Sequence, residues 1–219
     1  MPRPFHNPAL LYGVESMTLS RLAARAIFLA CVVLMGGNAL AADPVADKAK
    51  LCATCHGEQG IPINKTTPVI WGQNEGYLYL QLRDFKSGSR KNELMSPIAA
   101  TLEKNDLLAL AAYFTKLKWP NLQQPSAPND VAAKAQSAAA SVGCPGCHLA
   151  HFQGDGTTAR LAGQWEDYLA KTIFDFRDGK RGNNPGMTDL MKATAPDDLT
   201  ALAKYLAGLQ IDQYLGNGR

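Results

Sequence analysis

Apolar side chains recur along this chain at helical spacing, and no segment alternates apolar and polar positions as a half-buried strand does. Near the C-terminus, Leu199, Leu202, Ala203, Leu206 and Leu209 fall on one helical face. Thr194 stands where a cap belongs, with Pro196 near the first turn and Asp197 and Asp198 inside it. The same face recurs in Leu107, Leu110, Ala111, Phe114 and Leu117, with Asn105 as the expected cap. Middle helices are predicted from Glu75 to a stop at Gly88, and from Glu166 to a stop at Gly179. A first helix runs into each Cys-x-x-Cys-His segment; the second of these covers 131–142 and opens behind Pro128 at Asn129 or Asp130. The pattern predicts an all-α protein with about three helices in each half.

The elements come in pairs because the chain repeats itself. Gly72-Gln73-Asn74-Glu75-Gly76-Tyr77-Leu78 is matched by Gly163-Gln164-Trp165-Glu166-Asp167-Tyr168-Leu169. The run from Asp84 through Gly88 to Arg90 is matched by that from Asp175 through Gly179 to Arg181. This is one duplicated domain and not an array of short repeats. Residues 118–130 carry three prolines among Gln, Ser and Asn and read as an extended, stiff linker. The predicted domains are 42–117 and 131–219, each too small to build a generous core from side chains alone.

Chemistry enters at Cys52-Ala53-Thr54-Cys55-His56 and, 92 residues on, at Cys144-Pro145-Gly146-Cys147-His148. Cys-x-x-Cys-His is the attachment signature of a c-type haem. Its thiols form thioethers to the porphyrin, and the adjacent histidine reaches the iron from the same side. Cys52, Cys55, Cys144 and Cys147 are therefore read as attachment points for two covalently bound haem c groups, with His56 and His148 as proximal ligands. Met95 and Met187 each follow the histidine by 39 residues and are the expected ligands of the opposite face. Met191 rivals Met187 but matches Ala99 in the first half, so the repeat favours Met187. A soft, neutral thioether favours Fe(II), and His/Met ligation leaves no open coordination position. The ligand set predicts electron transfer and not catalysis, and it disfavours a dihaem peroxidase.

Competing readings of the motifs are weaker. A zinc site shared by the four cysteines would need pairs far closer than the 88 residues between them. A redox dithiol expects a βαβ setting that the pattern lacks. His151, three residues past His148, reads as a surface histidine. Tyr77, Tyr168, Phe85 and Phe176 are expected to pack against the haems. Arg90 and Arg181 stand either as partners of haem propionates or as a solvated basic loop.

Residues 1–41 read as a secretory signal. Arg21 and Arg25 precede an apolar run that ends in Ala39-Leu40-Ala41, a cleavage pattern, and residues 1–16 read as an extension upstream of Met17. Cys31 falls in that removed segment and fits a lipoprotein site poorly. No later segment is apolar enough to span a membrane. Residues 42–219 carry 19 basic against 18 acidic side chains, which is no nucleic-acid footprint. Export and haem attachment together predict a periplasmic location.

The chain resembles the cytochrome c4 family, periplasmic proteins built of two class I cytochrome c domains. The likeness covers residues 45–210. It rests on Cys52 to Gly57, on Gly72-Gln73 and Gly163-Gln164, on Gly88 and Gly179, and on the stretches from each methionine to Tyr113 and Tyr205. The resemblance implies a class I helical fold around each haem, His/Met ligation, and redox protein partners, with a membrane-bound terminal oxidase among the acceptors. A dihaem subunit of a larger dehydrogenase, as in flavocytochrome c sulfide dehydrogenase, shares the duplicated design and is the alternative. In class I domains a proline after the motif offers its carbonyl to the proximal imidazole. Pro68 holds that place in the first half and Ala159 in the second. Leu149 stands where the family carries glycine.

Overall fold

The structure, a computed structural model, describes residues 44–210. The expected secretory segment and Cys31 lie outside those residues. The first half contains α1 (Pro44–His56), α2 (Glu75–Ser87), α3 (Met95–Ala100) and α4 (Lys104–Thr115). The second half contains α5 (Asn129–Val142), α6 (Pro145–His148), α7 (Glu166–Arg177), α8 (Pro185–Ala193) and α9 (Pro196–Ala207). No strand occurs among the described residues, so the all-α prediction holds.

Each half has its own apolar core. In the first, Ala49 of α1 and Leu78 of α2 meet Leu107, Leu110, Ala111 and Phe114 of α4. In the second, Ala135 and Ala139 of α5 and Leu169, Ile173 and Phe176 of α7 meet Leu199, Leu202 and Leu206 of α9. The helical stripes read from the sequence are these buried faces.

The differences from expectation lie at helix ends. Beyond three helices per half, the short helices α3 and α8 begin at or just before the two methionines, and α6 is a separate turn. While α1 runs unbroken into His56, α5 stops at Gly143, whose φ of 81° ends it in the left-handed region. Pro145 then occupies the first turn of α6, where its missing N–H is harmless. Thr194 does not cap α9. It ends α8, donating its hydroxyl to the Leu190 carbonyl at 2.8 Å, and Ala195 takes the cap position because Pro196 fixes the first turn. Asn105 lies inside α4, and Glu103 precedes it as cap, with its N–H donated to the Asp106 carboxylate at 3.0 Å.

Two further features position the sites. Gly72 donates its N–H to the Phe114 carbonyl at 2.8 Å, and Gly163 donates to Leu206 at 2.9 Å. Each glycine thus seats the loop before α2 or α7 on the end of its own half's last helix. A Cβ on Gly72 would come within 2.9 Å of the Leu117 carbonyl oxygen. The segment 118–130 is docked and not merely extended. Trp119 is buried, and Gln124 donates to the Gln164 and Ala207 carbonyls and accepts from the Glu166 N–H.

Candidate haem-binding sites

His56 closes α1 and is buried, with Nδ1 2.7 Å from the Pro68 carbonyl oxygen. A carbonyl only accepts, so Nδ1 carries the proton and Nε2 keeps its lone pair. His148 closes α6, is equally buried, and places Nδ1 3.0 Å from the Ala159 oxygen. Burial lowers the pKa of both imidazoles, partly offset by the hydrogen bond to the backbone. Both rings are held neutral, in one tautomer, with the nitrogen suited to iron left available.

Around each histidine the thiols are divided. Cys52 and Cys144 are half-buried against the cores of their halves, whereas Cys55 and Cys147 are exposed, and none of the four is in a disulfide. Among the described residues no group of three His, Cys, Asp or Glu side chains converges on a point, as a shared zinc site would require. His151 is exposed, as expected of a surface histidine.

The methionines have matched local settings that the sequence reading missed. Asn92 Oδ1 accepts the N–H of Met95 at 2.9 Å, and Asn184 Oδ1 accepts that of Met187 at 3.1 Å. An asparagine three residues ahead of the methionine therefore holds the methionine's N–H in both halves, as the cap of α8 and two residues before the cap of α3. Asn184-Pro185, a cap followed by a first-turn proline, was the legible signal in the second half. Met191 is 3 % exposed and belongs to the apolar core, while Met95 and Met187 are only half-buried.

Arg90 and Arg181 are not a solvated loop. Arg90 lies over the Phe85 ring at 4.6 Å and donates to Tyr168 of the other half at 3.2 Å. Arg181 lies over Phe176 at 4.3 Å and donates to Tyr77 of the first half at 3.3 Å. Gln81 Oε1 accepts from both guanidiniums, at 2.8 and 2.9 Å. Burial alone would push the Tyr168 phenol up, but the two guanidiniums together outweigh it and hold the pKa at about 7. The buried Asp84 is engaged by Arg83 and by Asn183, so Arg90 and Arg181 have no carboxylate within ion-pair reach among the described residues.

These residues fit a haem c. A pair of thiols, a neutral imidazole with a fixed tautomer and a half-buried thioether are the donors it takes. Its carboxylates would complement the arginine pair. Large apolar side chains stand exposed in sequence beside the donors, Ile61 and Ile63 after His56 and Leu94 before Met95, as an apolar ring would cover.

An all-helical tandem fold with a Cys-x-x-Cys-His turn in each half defines a class I c-type cytochrome architecture. No protein-family model matches the chain. It is 35 % identical over 183 residues to cytochrome c4 of Thiocapsa roseopersicina, across 76 % of this chain and 93 % of that protein. It is 33 % identical to a thiosulfate dehydrogenase electron acceptor of Stutzerimonas stutzeri, across 74 % of this chain and 80 % of that protein. The crystal structure of reduced recombinant cytochrome c4 from Pseudomonas stutzeri matches with a TM-score of 0.68 at 29 % identity, covering 77 % of this chain and 98 % of that one. The chain belongs to the cytochrome c4 family, and it is an electron-transfer protein rather than an enzyme.

One departure from the family's pattern has a structural consequence. Gly57 follows His56 with φ 88°, where a Cβ would sit 1.9 Å from the Ile61 carbonyl oxygen. Leu149, its counterpart, has φ 64° and ψ 168°, a region that is nearly glycine's alone. Such a residue stores roughly 1–3 kcal/mol of strain. Leu149→Gly is expected to stabilise the haem-loaded protein by about 1 kcal/mol after the entropy of the added glycine is counted. The check is the denaturant midpoint, and an unchanged or lower midpoint would show that Leu149 is unstrained.

Proposed function

We propose that this chain is a periplasmic electron carrier with one haem c in each of two domains, 42–117 and 131–219, joined by 118–130. It passes single electrons between respiratory-chain donors and a terminal oxidase or similar acceptor. One observation carries this reading: each half has the same two cysteines, histidine and methionine, with the histidine Nδ1 held on a backbone carbonyl and the methionine N–H on an asparagine. Cys52, Cys55, Cys144 and Cys147 are the attachment points, His56 and Met95 ligate one iron, and His148 and Met187 the other. A haem c held there supplies a one-electron Fe(III)/Fe(II) couple. His56 and His148 bind through Nε2 because their Nδ1 protons are fixed on Pro68 and Ala159. A histidine and a methionine holding each iron would leave no position for oxygen or peroxide. A secretory signal in residues 1–41 supports attachment outside the cytoplasm, and no described helix is long and apolar enough to cross a membrane.

A second reading has a specific support, the likeness to the thiosulfate dehydrogenase electron acceptor. In it the chain takes electrons directly from a dehydrogenase and stays bound to it. Sizing chromatography of a periplasmic extract, followed by haem absorbance, separates the two. The carrier elutes at the size of one or two chains, and co-elution with a larger protein would replace it by the acceptor subunit.

The ligand assignment has its own check. Met187→Ala is expected to remove half of the weak absorbance that marks a methionine–iron bond. Met191→Ala should leave that absorbance intact and destabilise the protein by about 2–4 kcal/mol through a core cavity. The reverse pattern would make Met191 the ligand.

The two irons are expected to differ in potential. A stronger Nδ1–H bond makes imidazole more electron-donating and favours Fe(III). The bond is 2.7 Å at His56 and 3.0 Å at His148, so the first-half iron should have the lower potential. A redox titration giving one indistinguishable pair would refute this.

A further inference from the structure

Gln73 and Gln164 occupy equivalent positions, both are almost wholly buried at 3 % and 2 % exposed, and each reaches into the other half. Gln164 Oε1 accepts the N–H of Val69 at 2.9 Å, and its Nε2 donates to the Val69 carbonyl at 3.1 Å. Gln73 does the same to Arg160, accepting its N–H at 2.7 Å and donating to its carbonyl at 3.0 Å. Each side chain also accepts from the N–H that follows it, Asn74 at 2.9 Å and Trp165 at 3.0 Å. The primary amide is thereby used as a two-way clasp on a single peptide residue of the opposite half. That residue is not arbitrary. Val69 follows Pro68, whose carbonyl holds His56, and Arg160 follows Ala159, whose carbonyl holds His148.

We infer that Gln73 and Gln164 are positioning residues acting crosswise: each half's glutamine fixes the carbonyl that orients and polarises the other half's proximal histidine. The inference rests on His56 and His148 being the iron ligands. A loop carbonyl at the surface would be free to tilt and lengthen its bond to Nδ1–H. Clasping the next residue by both its N–H and its C=O removes that freedom, because the peptide plane between the two carbonyls is rigid. Both clasps are buried, where an amide exchanging two such bonds has no water to substitute for them. Gly72 and Gly163 set the reach by seating the start of each glutamine's loop on its own last helix.

The consequence is a potential set across the interface. Loosening the Val69 clasp weakens the His56–Pro68 bond, lowers the donor strength of that imidazole and raises the potential of the first-half iron. Gln164→Met keeps length and apolar bulk and removes both amide functions, and Gln73→Met is its mirror. Gln164→Glu, which keeps an acceptor for the Val69 N–H and loses the donor to its carbonyl when ionised, is a second variant of different chemistry.

The experiment is a redox titration of the haem-loaded chain, following the separate NMR methyl signals of Met95 and Met187, assigned through Met95→His. Exchange of the His56 and His148 Nδ1 protons is measured in the same samples. Gln164→Met is expected to shift the Met95-ligated iron upward by about threefold in its equilibrium, roughly 28 mV on the 59 mV scale of a tenfold one-electron change. It should also speed exchange at His56 and leave the other iron nearly unmoved. Gln73→Met should give the mirror result at His148. A shift confined to the variant's own half, equal shifts at both irons, or none at all would overturn the crosswise role. If Gln164→Met does not fold, the same outcomes are read from Gln164→Glu. Failure of the ligand reading itself is seen separately, because the wild-type methyl signals that mark methionine on iron would then be missing.

Discussion

The hydrogen bond between a histidine Nδ1–H and a backbone carbonyl eleven or twelve residues later is the constraint on which both sites depend. It fixes the tautomer, while burial keeps the ring neutral. It also forces the intervening loop to return to the motif. The first half achieves this with a turn at Gly57 and Gly60, an Ile63 N–H donated to the Cys55 carbonyl, and Asn64 Oδ1 gathering the N–H groups of Thr66 and Thr67. The second half uses different wiring: Gly154 donates to His148, and Leu161 and Ala162 both donate to the Phe152 carbonyl. Two unlike loops ending in the same bond indicate that the bond, and not the loop, is what the fold must deliver.

The halves meet through polar pairs rather than a shared apolar core. Each hydrophobic cluster is confined to one half. Across the junction run the glutamine clasps, the Arg90–Tyr168 and Arg181–Tyr77 pairs, and the Asn183–Asp84 bond. Asn74 adds bonds to the Gln153 and Thr158 carbonyls, and Tyr77 donates its N–H to Gly156. Hydrogen bonds of this kind add little net stability, about 0.5–1.5 kcal/mol each, but they fix geometry strictly. A junction built this way specifies how the two halves are oriented.

Much of this was legible in the sequence because the repeat supplied an internal control. Leu199, Leu202, Ala203 and Leu206 of the expected stripe are the buried face of α9, whereas Leu209 lies past its end, and Gly88 ended α2 in the left-handed region as expected. The motif histidines stand out as candidate ligands from covalent spacing alone. Cap positions were less legible, since Thr194 and Asn105 are good cap residues in the wrong register, and only the placement of Pro196 and of the Glu103–Asp106 pair decides it. The asparagines that hold the Met95 and Met187 N–H groups recur in both halves but carry no chemistry a motif would flag. The interface was not legible at all. Nothing along the chain says that Gln73 reaches residue 160, because that depends on how two folded halves are placed.

Duplication also makes the asymmetries informative. Three departures cluster around the second histidine: Gly143 breaks the helix before the motif, Leu149 takes a glycine's backbone conformation after it, and Ala159 replaces the proline at the accepting carbonyl. The first half keeps an unbroken α1, Gly57 and Pro68. Across the junction, Gln81 binds both arginines, whereas its counterpart by the repeat is Thr172, a shorter side chain that turns instead to Tyr168. None of these changes touches a donor atom. They alter the stiffness of the loop behind one imidazole and the polar field at the junction, so two halves with the same motif residues need not behave identically. Divergence that spares the motif residues and both methionines, and gathers around His148, gives the same side chains different surroundings in the two halves.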